Sequence, residues 1–389
     1  MIRSLKKIVI APDSFKESLS SQEVCHAISR GIKKVYPKAK VISVPIGDGG
    51  EGTLTAIKES RPLKIKRVKV HDPLLRVCSA TYGILEEENM GIVEMAQASG
   101  LELLSPKERN PWITSSFGTG ELIRHALDDG CKKIVLTLGG VATNDAGVGM
   151  AKALGYKFLD KKGQEIGNGV GALKNLHKID ASQIHPRLKK VKFFAASDVT
   201  NPLCGPQGSA KVYGPQKGAT PQMIPKMDAA LKHFSKIVQR EIRDRALFAR
   251  TNRALSLISG AGAAGGAGAG AIAFLNAKLI KGINWMIELT QLENKVKGAD
   301  ILITGEGKID AQTLFGKTLL GVARIGKKEG VPTIAFCGKI DWFPKKLYSE
   351  GLRAAYSIAG KSSSYEDSIK NAAIYLEKTV EEVLSHEKI

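Results

Sequence analysis

The feature that most constrains the fold is residues 134–150, where an apolar run leads through glycines and a polar tip into an Ala/Gly-rich pattern. The run Ile134–Leu138 has the β-branched content of a buried strand, and the pattern from Met150 to Leu154 is typical of a helix. A strand, a glycine turn and a helix start in this order are how α/β proteins hold an anion, because glycines let the backbone approach a ligand. The alternative is an ordinary turn between strand and helix, since a glycine-rich turn alone is a weak motif.

Net charge narrows the classes of partner. The chain has 58 Lys and Arg residues against 38 Asp and Glu residues, a formal net charge of +20, which would suit a nucleic-acid-binding protein. However, the lysines of residues 64–70 alternate with apolar residues, as on a half-buried strand, and aromatic residues do not interleave with the basic runs. We therefore expect no nucleic-acid partner, and we expect the charge to attract an anionic small-molecule substrate.

Three features of the sequence bear on the cellular compartment. No run of 18 apolar residues occurs, which predicts that the chain does not span a membrane. The first apolar run ends at Pro12 and lacks a cleavage site of small residues, so it indicates a first strand and not a signal peptide. The five cysteines are dispersed, odd in number and without a CxxC pair, which favours reduced thiols in a cytoplasm.

Patterning along the chain predicts an α/β protein. Strands of a parallel sheet are predicted near both chain ends, at 7–11, 41–45, 299–304 and 331–336. The middle of the chain has a different residue pattern. Polar and apolar residues alternate over 63–85, as in strands, and a basic amphipathic helix is predicted over about 221–250. An amphipathic helix is predicted for 364–386, and Ser20 with Glu23 is typical of a helix capping box.

The segment Gly260–Gly270 contains a literal G-x-G-x-x-G after a short apolar run. As a dinucleotide fingerprint it would indicate an NAD-dependent oxidoreductase, but the acidic residue expected about 20 residues later has no good candidate before Glu288. An eleven-residue Gly/Ala stretch matches many glycine patterns by chance. We predict instead a tightly packed Gly/Ala helix start that lines a cleft.

Several loops that follow predicted strands carry carboxylates, most of them among glycines. These are the loops with Asp13 and Lys16, Asp48 and Glu51, Thr143 to Asp145, Asp198 and Asn201, and Glu306 and Asp310. Carboxylates can hold Mg²⁺, lysines and backbone N–H groups can neutralise phosphate oxygens, and one carboxylate can accept the proton of an acceptor hydroxyl. The residues alone therefore predict an α/β enzyme that handles a phosphorylated or anionic small molecule.

Eight motifs occur in the order that is seen in the glycerate kinase family of the bacterial type. They are Ala11–Lys16 (APDSFK), Gly47–Thr53 (GDGGEGT), Asp72–Leu74 (DPL), Ser115–Leu122 (SSFGTGEL), Gly139–Asp145 (GGVATND), Asp198–Gly205 (DVTNPLCG), Gly214–Ala219 (GPQKGA) and Thr304–Asp310 (TGEGKID). The resemblance covers nearly the whole chain. The sequence departs from the family pattern at Val141, usually Ser, at Ala146, usually Gly, and at Glu17, where Gly is common. By this resemblance, Val141 would remove one candidate hydroxyl donor to phosphate and would leave the backbone N–H groups.

The resemblance implies ATP-dependent phosphorylation of D-glycerate with Mg²⁺. It also implies two α/β domains, a Rossmann-like domain with a parallel sheet from residues 1–63 and 293–389, and an inserted α/β domain over 64–292, with the active site in the cleft between them. The small-molecule substrate would be the main partner, and a homodimer is an open alternative. The competing function is a nucleotide-binding regulatory protein without turnover.

Site roles follow from the resemblance together with the positions of the residues. We expect Asp198 to be the base or to orient the hydroxyl, and Lys16 to neutralise phosphate or the substrate carboxylate. The residues expected to hold the nucleotide are Gly139, Gly140, Thr143, Asn144, Asp145, Gly262 and Gly265. Those expected to hold the substrate are Asp13, Ser14, Asp48, Glu306 and Asp310, with Asp48 and Glu306 also as metal ligands. Each carboxylate could instead cap a helix.

Overall fold

The computed structural model describes most of the chain. The described residues are 5–15, 18–47, 49–50, 52–242, 254–310, 313, 318–342, 345–362 and 364–386. Two residues to which the sequence assigns a role in the site, Lys16 and Asp48, lie outside these ranges. The chain divides into two compact units, the first made of Met1–Asp48, Thr55–Pro62 and Gly282–Ile389, the second of Gly49–Leu54 and Leu63–Lys281.

The described residues form thirteen strands. They are β1 Lys7–Ile10, β2 Lys40–Ser43, β3 Lys64–His71, β4 Val77–Leu85, β5 Met90–Glu94, β6 Lys133–Thr137, β7 Lys157–Leu159, β8 Lys178–Asp180, β9 Lys192–Ala196, β10 Lys278–Ile280, β11 Ile301–Ile309, β12 Thr333–Ile340 and β13 Leu352–Ser357. The mixture of these strands with helices and the parallel pairing within both large sheets confirm the predicted α/β fold class.

The same residues form fourteen α-helices. They are α1 Ser21–Val35, α2 Thr53–Ser60, α3 Ala96–Ser99, α4 Phe117–Asp128, α5 Val148–Ala153, α6 Ser209–Tyr213, α7 Met223–Glu241, α8 Ala263–Leu275, α9 Gly282–Leu289, α10 Leu292–Val296, α11 Thr318–Glu329, α12 Lys346–Ser349, α13 Tyr365–Lys370 and α14 Ala372–His386. Helix α1 begins at the predicted capping box, because the Glu23 carboxylate accepts from the Ser20 N–H at 2.8 Å while the Ser20 hydroxyl accepts from the Glu23 N–H.

The first unit contains a five-stranded parallel sheet in the order β13-β12-β11-β1-β2. Successive residues of β12 point to opposite faces, so Ile334 and Phe336 pack in the core that includes α1 and α14, whereas Ala335 and Cys337 pack against α11. Helices thus cover both faces of the sheet. A parallel sheet covered in this way presents its loops, and any ligand site, at the carboxyl ends of its strands.

The second unit contains a six-stranded sheet in the order β10-β9-β6-β5-β4-β3. Strands β5, β6, β9 and β10 are parallel, while β3, β4 and β5 form an antiparallel meander. The alternating lysines and apolar residues of 64–70 do form a strand, and its register with β4 runs from Lys64 opposite Ile84 to His71 opposite Val77. The parallel half of this sheet carries the loop after β6 at its carboxyl edge.

Three boundaries predicted from the sequence are wrong. Strand β11 continues through the glycines to Ile309, because β12 pairs with it as far as Ile340, so Glu306 lies on a strand and not in a loop. The helix predicted over 221–250 ends at Glu241, with Ile242 as its C-cap, and the rest of the predicted range, residues 243–250, lies outside the described chain. The terminal helix is broken at Asn371 into α13 and α14.

Candidate active site

The glycine turn after β6 is fixed by the neighbouring segment Ser99–Leu101. The Leu101 N–H donates to the carbonyl of Gly140 at 2.8 Å, and the Ala142 N–H donates to the carbonyl of Ser99 at 2.9 Å. Gly140 has a φ of +64°, a left-handed conformation that favours glycine. These bonds hold the turn rigidly at the carboxyl end of β6, which is where an open α/β sheet places ligands.

Asp145, at the end of this turn, uses its carboxylate to hold protein groups. One oxygen accepts from the Ser116 N–H at 2.8 Å, from the Ser116 hydroxyl at 2.9 Å and from the Gly149 N–H at 3.1 Å, and the other accepts from the Gly147 N–H at 3.1 Å. A buried carboxylate with four donors is well satisfied. Its geometry is that of an anchor for the turn, and its expected contact with the nucleotide stays a prediction.

Thr143 and Asn144 differ from Asp145 because their donors are unused. The Thr143 hydroxyl and the Asn144 side-chain NH₂ group are buried and have no hydrogen-bond partner among the described residues. Their backbone N–H groups likewise have no acceptor in the described part of the chain. Each buried polar group left unpaired costs about 1–3 kcal/mol, which a ligand or a water molecule would recover. The unused donors therefore mark this turn as a candidate anion site.

Lys217 also belongs to this candidate site, although the sequence analysis did not predict it as a site residue. It is 2% exposed, and its ammonium donates to the carbonyl of Thr143 at 2.6 Å. Burial lowers the pKa of Lys217 to about 7, opposed by the charge of Asp145. Its only signal in the sequence is its place in the motif Gly214–Ala219, because nothing local predicts that this lysine points inward.

The Gly/Ala segment packs directly against the turn after β6. Gly265 has a φ of +71°, and a Cβ at that position would lie 1.9 Å from the carbonyl oxygen of Thr143. A Cβ at Gly262 would lie 2.2 Å from the carbonyl oxygen of Pro202. The glycines thus allow backbone to pack on backbone, as predicted for a tightly packed helix start. Direct contact of Gly262 and Gly265 with a nucleotide stays a prediction.

Asp198 lies two residues beyond β9, on the strand next to β6. Thr137 and Ala196, the last residues of these strands, are register partners, so Asp198 and Gly139 leave the sheet at the same edge. Asp198 is half-buried. The loop that follows is held by Asn201, whose side chain accepts from the Tyr213 hydroxyl at 2.6 Å and donates to the carbonyl of Gln207 at 2.8 Å.

In the first unit, Asp13 lies just beyond β1. Its N–H donates to the carbonyl of Gly305 at 2.9 Å, which ties it to the neighbouring strand β11. The carboxylate accepts from the Ser14 N–H at 2.7 Å and from the Thr318 hydroxyl at 2.6 Å. The Asp13 carboxylate therefore contacts both Ser14, its neighbour in the sequence, and Thr318, a contact that the sequence did not predict.

Glu306 and Asp310 are joined by Thr313. The Thr313 hydroxyl donates to the Glu306 carboxylate at 2.7 Å and accepts from the Asp310 N–H at 3.2 Å. Glu306 is buried. Within the described ranges, no three His, Cys, Asp or Glu side chains form a metal-binding cluster, and Asp48 lies outside them. A Mg²⁺ ion usually takes only one or two protein carboxylates together with phosphate oxygens, so the carboxylate of Glu306 fits that demand.

Glycine turns, unused donors and carboxylates at the carboxyl ends of parallel strands are typical of an α/β enzyme that binds phosphate or other small anions. In the described ranges no helix combines the length and the apolar character needed to cross a bilayer. The five cysteines, all of them described, are free thiols.

Comparison with known proteins identifies the family. The sequence model of the glycerate kinase family matches residues 8–387. The chain is 44% identical over 379 residues to a glycerate kinase of Halalkalibacterium halodurans, covering 97% of each chain, and 40% identical over 370 residues to the glycerate 2-kinase of Escherichia coli, covering 94% of each. A crystal structure of a protein designated glycerate kinase 2 from Salmonella typhimurium LT2 superimposes with a TM-score of 0.81, at 41% identity and 98% coverage of both chains. The chain belongs to the glycerate kinase family, which confirms the resemblance drawn from its motifs.

Proposed function

We propose that the protein catalyses the ATP-dependent phosphorylation of D-glycerate to a phosphoglycerate. Membership of the glycerate kinase family and the names of the relatives support the substrate. The observation that carries the proposal is the turn after β6, where Thr143 and Asn144 have buried donors without a partner among the described residues. Unsatisfied donors on a rigid glycine turn suit the phosphate oxygens of a nucleotide.

We assign the nucleotide to the turn Gly139–Asp145. Thr143 and Asn144 donate to phosphate oxygens through their side chains and backbone N–H groups. Asp145 keeps the turn in place through its four protein donors, and Gly265 allows the Gly/Ala segment to support the carbonyl side of the turn. Gly262 has the same supporting role at Pro202. The nucleotide site is thus built of a rigid backbone with few charges of its own.

We assign the chemistry to Asp198. A half-buried carboxylate at a strand end, followed by a loop held by Asn201, suits a base that accepts or orients the proton of the acceptor hydroxyl. Lys16 is the proposed cation for phosphate or the substrate carboxylate on the strength of the sequence motif. Asp13, Ser14, Asp310 and Asp48 are the proposed substrate contacts, with Lys16 and Asp48 outside the described residues.

The cofactors are ATP and Mg²⁺. We propose that Glu306, whose buried carboxylate is already oriented by Thr313, is one ligand of the metal, and that Asp48 is another. When it is bound, Mg²⁺ neutralises charge on the phosphate oxygens. The five free thiols agree with an enzyme of a reducing cytoplasm, and a homodimer stays open.

The test is release of ADP from Mg-ATP by the purified protein, with and without D-glycerate. L-glycerate and tartronate are the controls for recognition of the substrate. Turnover that depends on D-glycerate is the expected result, and NMR of the product then distinguishes phosphorylation at the 2-position from that at the 3-position. Nucleotide binding without turnover above the ATP-only background would contradict the proposal and favour a regulatory nucleotide-binding protein.

A further inference from the structure

Lys217 is a buried lysine whose hydrogen-bonding capacity is mostly unused. Its ammonium carries three N–H donors, and its one hydrogen-bond acceptor among the described residues is the carbonyl of Thr143, at 2.6 Å. The residue is 2% exposed, so its remaining N–H groups face protein and not bulk solvent. The hydroxyl of Thr143 itself and the side-chain NH₂ group of Asn144, the next residue along the chain, have no hydrogen-bond partner among the described residues, whereas the Asn144 amide oxygen accepts from the Ser209 hydroxyl. The cluster is rich in donors and poor in acceptors.

We propose that Lys217 is a positioning residue of the nucleotide site, because it fixes the phosphate-binding turn through its hydrogen bond to the Thr143 carbonyl. Lys217 becomes fully protonated when an anionic phosphate group binds. This inference rests on the function proposed above. It adds a residue to that site and a dependence of nucleotide affinity on the charge of that residue. The ligand class is a nucleoside triphosphate with its metal ion. Lys217 acts on it through the hydrogen bond to Thr143 and through the electrostatic attraction of its own positive charge, without forming or breaking a covalent bond.

The charges around Lys217 decide the direction of the effect. Asp145 is the charged group that favours the protonated form, but its carboxylate is already shared among four protein donors. Desolvation therefore dominates and the pKa of Lys217 falls to about 7. An anion bound at the turn would raise that pKa again.

Linkage then requires that nucleotide binding takes up protons near neutral pH. A lysine with a pKa of about 7 is mostly neutral at pH 7.5, and raising its pKa on binding would take up roughly 0.8 proton at most. By the same linkage, affinity for the nucleotide falls by up to about 25-fold between pH 6.5 and pH 8.5. A lysine that only filled space or held the fold would produce neither effect.

The experiment is calorimetry with Mg-AMP-PNP, a non-hydrolysable nucleotide, in two buffers of different ionisation enthalpy at pH 7.5. We expect net proton uptake by the wild type and none beyond the ligand's own protonation by Lys217→Met. The matched control is Lys152→Met, because burial also lowers the pKa of Lys152 and the charge of Asp145 also acts on it, but its ammonium donates to the carbonyls of Ile166 and Gly167 and not to the turn. It should bind with the proton uptake and pH profile of the wild type.

The outcomes separate the two proposals. A wild type that binds the nucleotide and turns over D-glycerate without proton uptake would overturn the role of Lys217 alone. A wild type that does not bind Mg-AMP-PNP at all would overturn both the nucleotide site and the role of Lys217. If Lys217→Met does not fold, the wild-type proton uptake still decides, with Lys217→Arg as a second variant that keeps the charge at every pH and should bind independently of pH.

Discussion

The carboxylate of Asp145 accepts two hydrogen bonds from Ser116, at 2.8 Å from its backbone N–H and at 2.9 Å from its hydroxyl. Ser116 immediately precedes α4, and the Ser116 hydroxyl in turn accepts from the Met150 N–H at 2.9 Å within α5. One acidic side chain therefore ties the turn after β6 to the starts of two helices. The relationship explains why the motifs Ser115–Leu122 and Gly139–Asp145 occur together.

We expect Asp145→Asn to destabilise the protein by about 2–4 kcal/mol, because an amide presents an NH₂ group to donors that need an acceptor. Urea unfolding measures the loss. The matched control is Asp160→Asn, since the carboxylate of Asp160 also accepts from two backbone N–H groups, those of Lys162 and Gln164, but in a surface turn. That variant should lose less than about 1 kcal/mol. Equal losses in the two variants would contradict the anchoring role.

Gly265→Ala should be more damaging than an ordinary substitution of a left-handed glycine. The conformation itself costs about 1 kcal/mol for a residue with a Cβ, and here the Cβ would also lie 1.9 Å from the carbonyl oxygen of Thr143. We expect a total loss of about 3 kcal/mol or more and weaker nucleotide binding, measured by urea unfolding and calorimetry. Gly163→Ala is the control, because Gly163 has a φ of +77° with nothing within 4 Å of the added Cβ. A loss at Gly265 no larger than that at Gly163 would show that the Gly/Ala segment can move away.

The sequence predicted the location of the candidate site better than its internal contacts. The turn after β6 was predictable because the apolar period, the glycines and the helix start are all local signals. The hydrogen bond from Lys217 to Thr143 was not, because it joins residues 74 apart in the sequence and depends on tertiary packing. Nothing in a lysine between Gln216 and Gly218 indicates that it points into the protein.

The boundaries of strands and helices also depend on tertiary contacts that local sequence does not show. Glycines at Gly305 and Gly307 predicted the end of a strand, yet β11 continues because β12 supplies register partners for Glu306 and Lys308. Pairing in the sheet overrides the local preference of glycine for turns. In contrast, the capping box at Ser20 was predictable, because both partners lie within one helical turn.

Asp198→Asn tests the proposed base. If the carboxylate accepts or orients the hydroxyl proton, we expect kcat to fall by roughly 10²- to 10⁴-fold with little change in the KM for ATP, measured by steady-state kinetics. Asp228→Asn is the control in the same unit, because the carboxylate of Asp228 accepts from the Gly205 N–H at 2.7 Å and pairs with Lys232 on the surface of α7. That variant should keep the wild-type kcat. A wild-type kcat in Asp198→Asn would remove Asp198 from the chemistry.

A buried carboxylate at the end of β5 gives a prediction about pH and stability. Glu94 is almost fully buried and accepts from the Leu54 N–H at 2.9 Å and from the Gln97 side chain at 3.1 Å. Burial raises the pKa of Glu94 above 4.5, and the hydrogen bonds only partly oppose this. Because the folded protein then holds a proton that the unfolded chain releases, the stability conferred by this group is present below about pH 4.5 and is lost as pH rises through the folded pKa.

We therefore expect the free energy of unfolding of the wild type, relative to that of Glu94→Gln, to decrease as pH rises from 4.5 towards 8. Urea unfolding of both proteins across this range measures the difference. Glu108→Gln is the control of opposite sign, since hydrogen bonds from Ser105 and the charge of Arg76 lower the pKa of Glu108, so that its contribution is lost as pH falls. A wild-type advantage over Glu94→Gln that grows with pH would mean that the hydrogen bonds to Leu54 and Gln97 outweigh the burial of the charge.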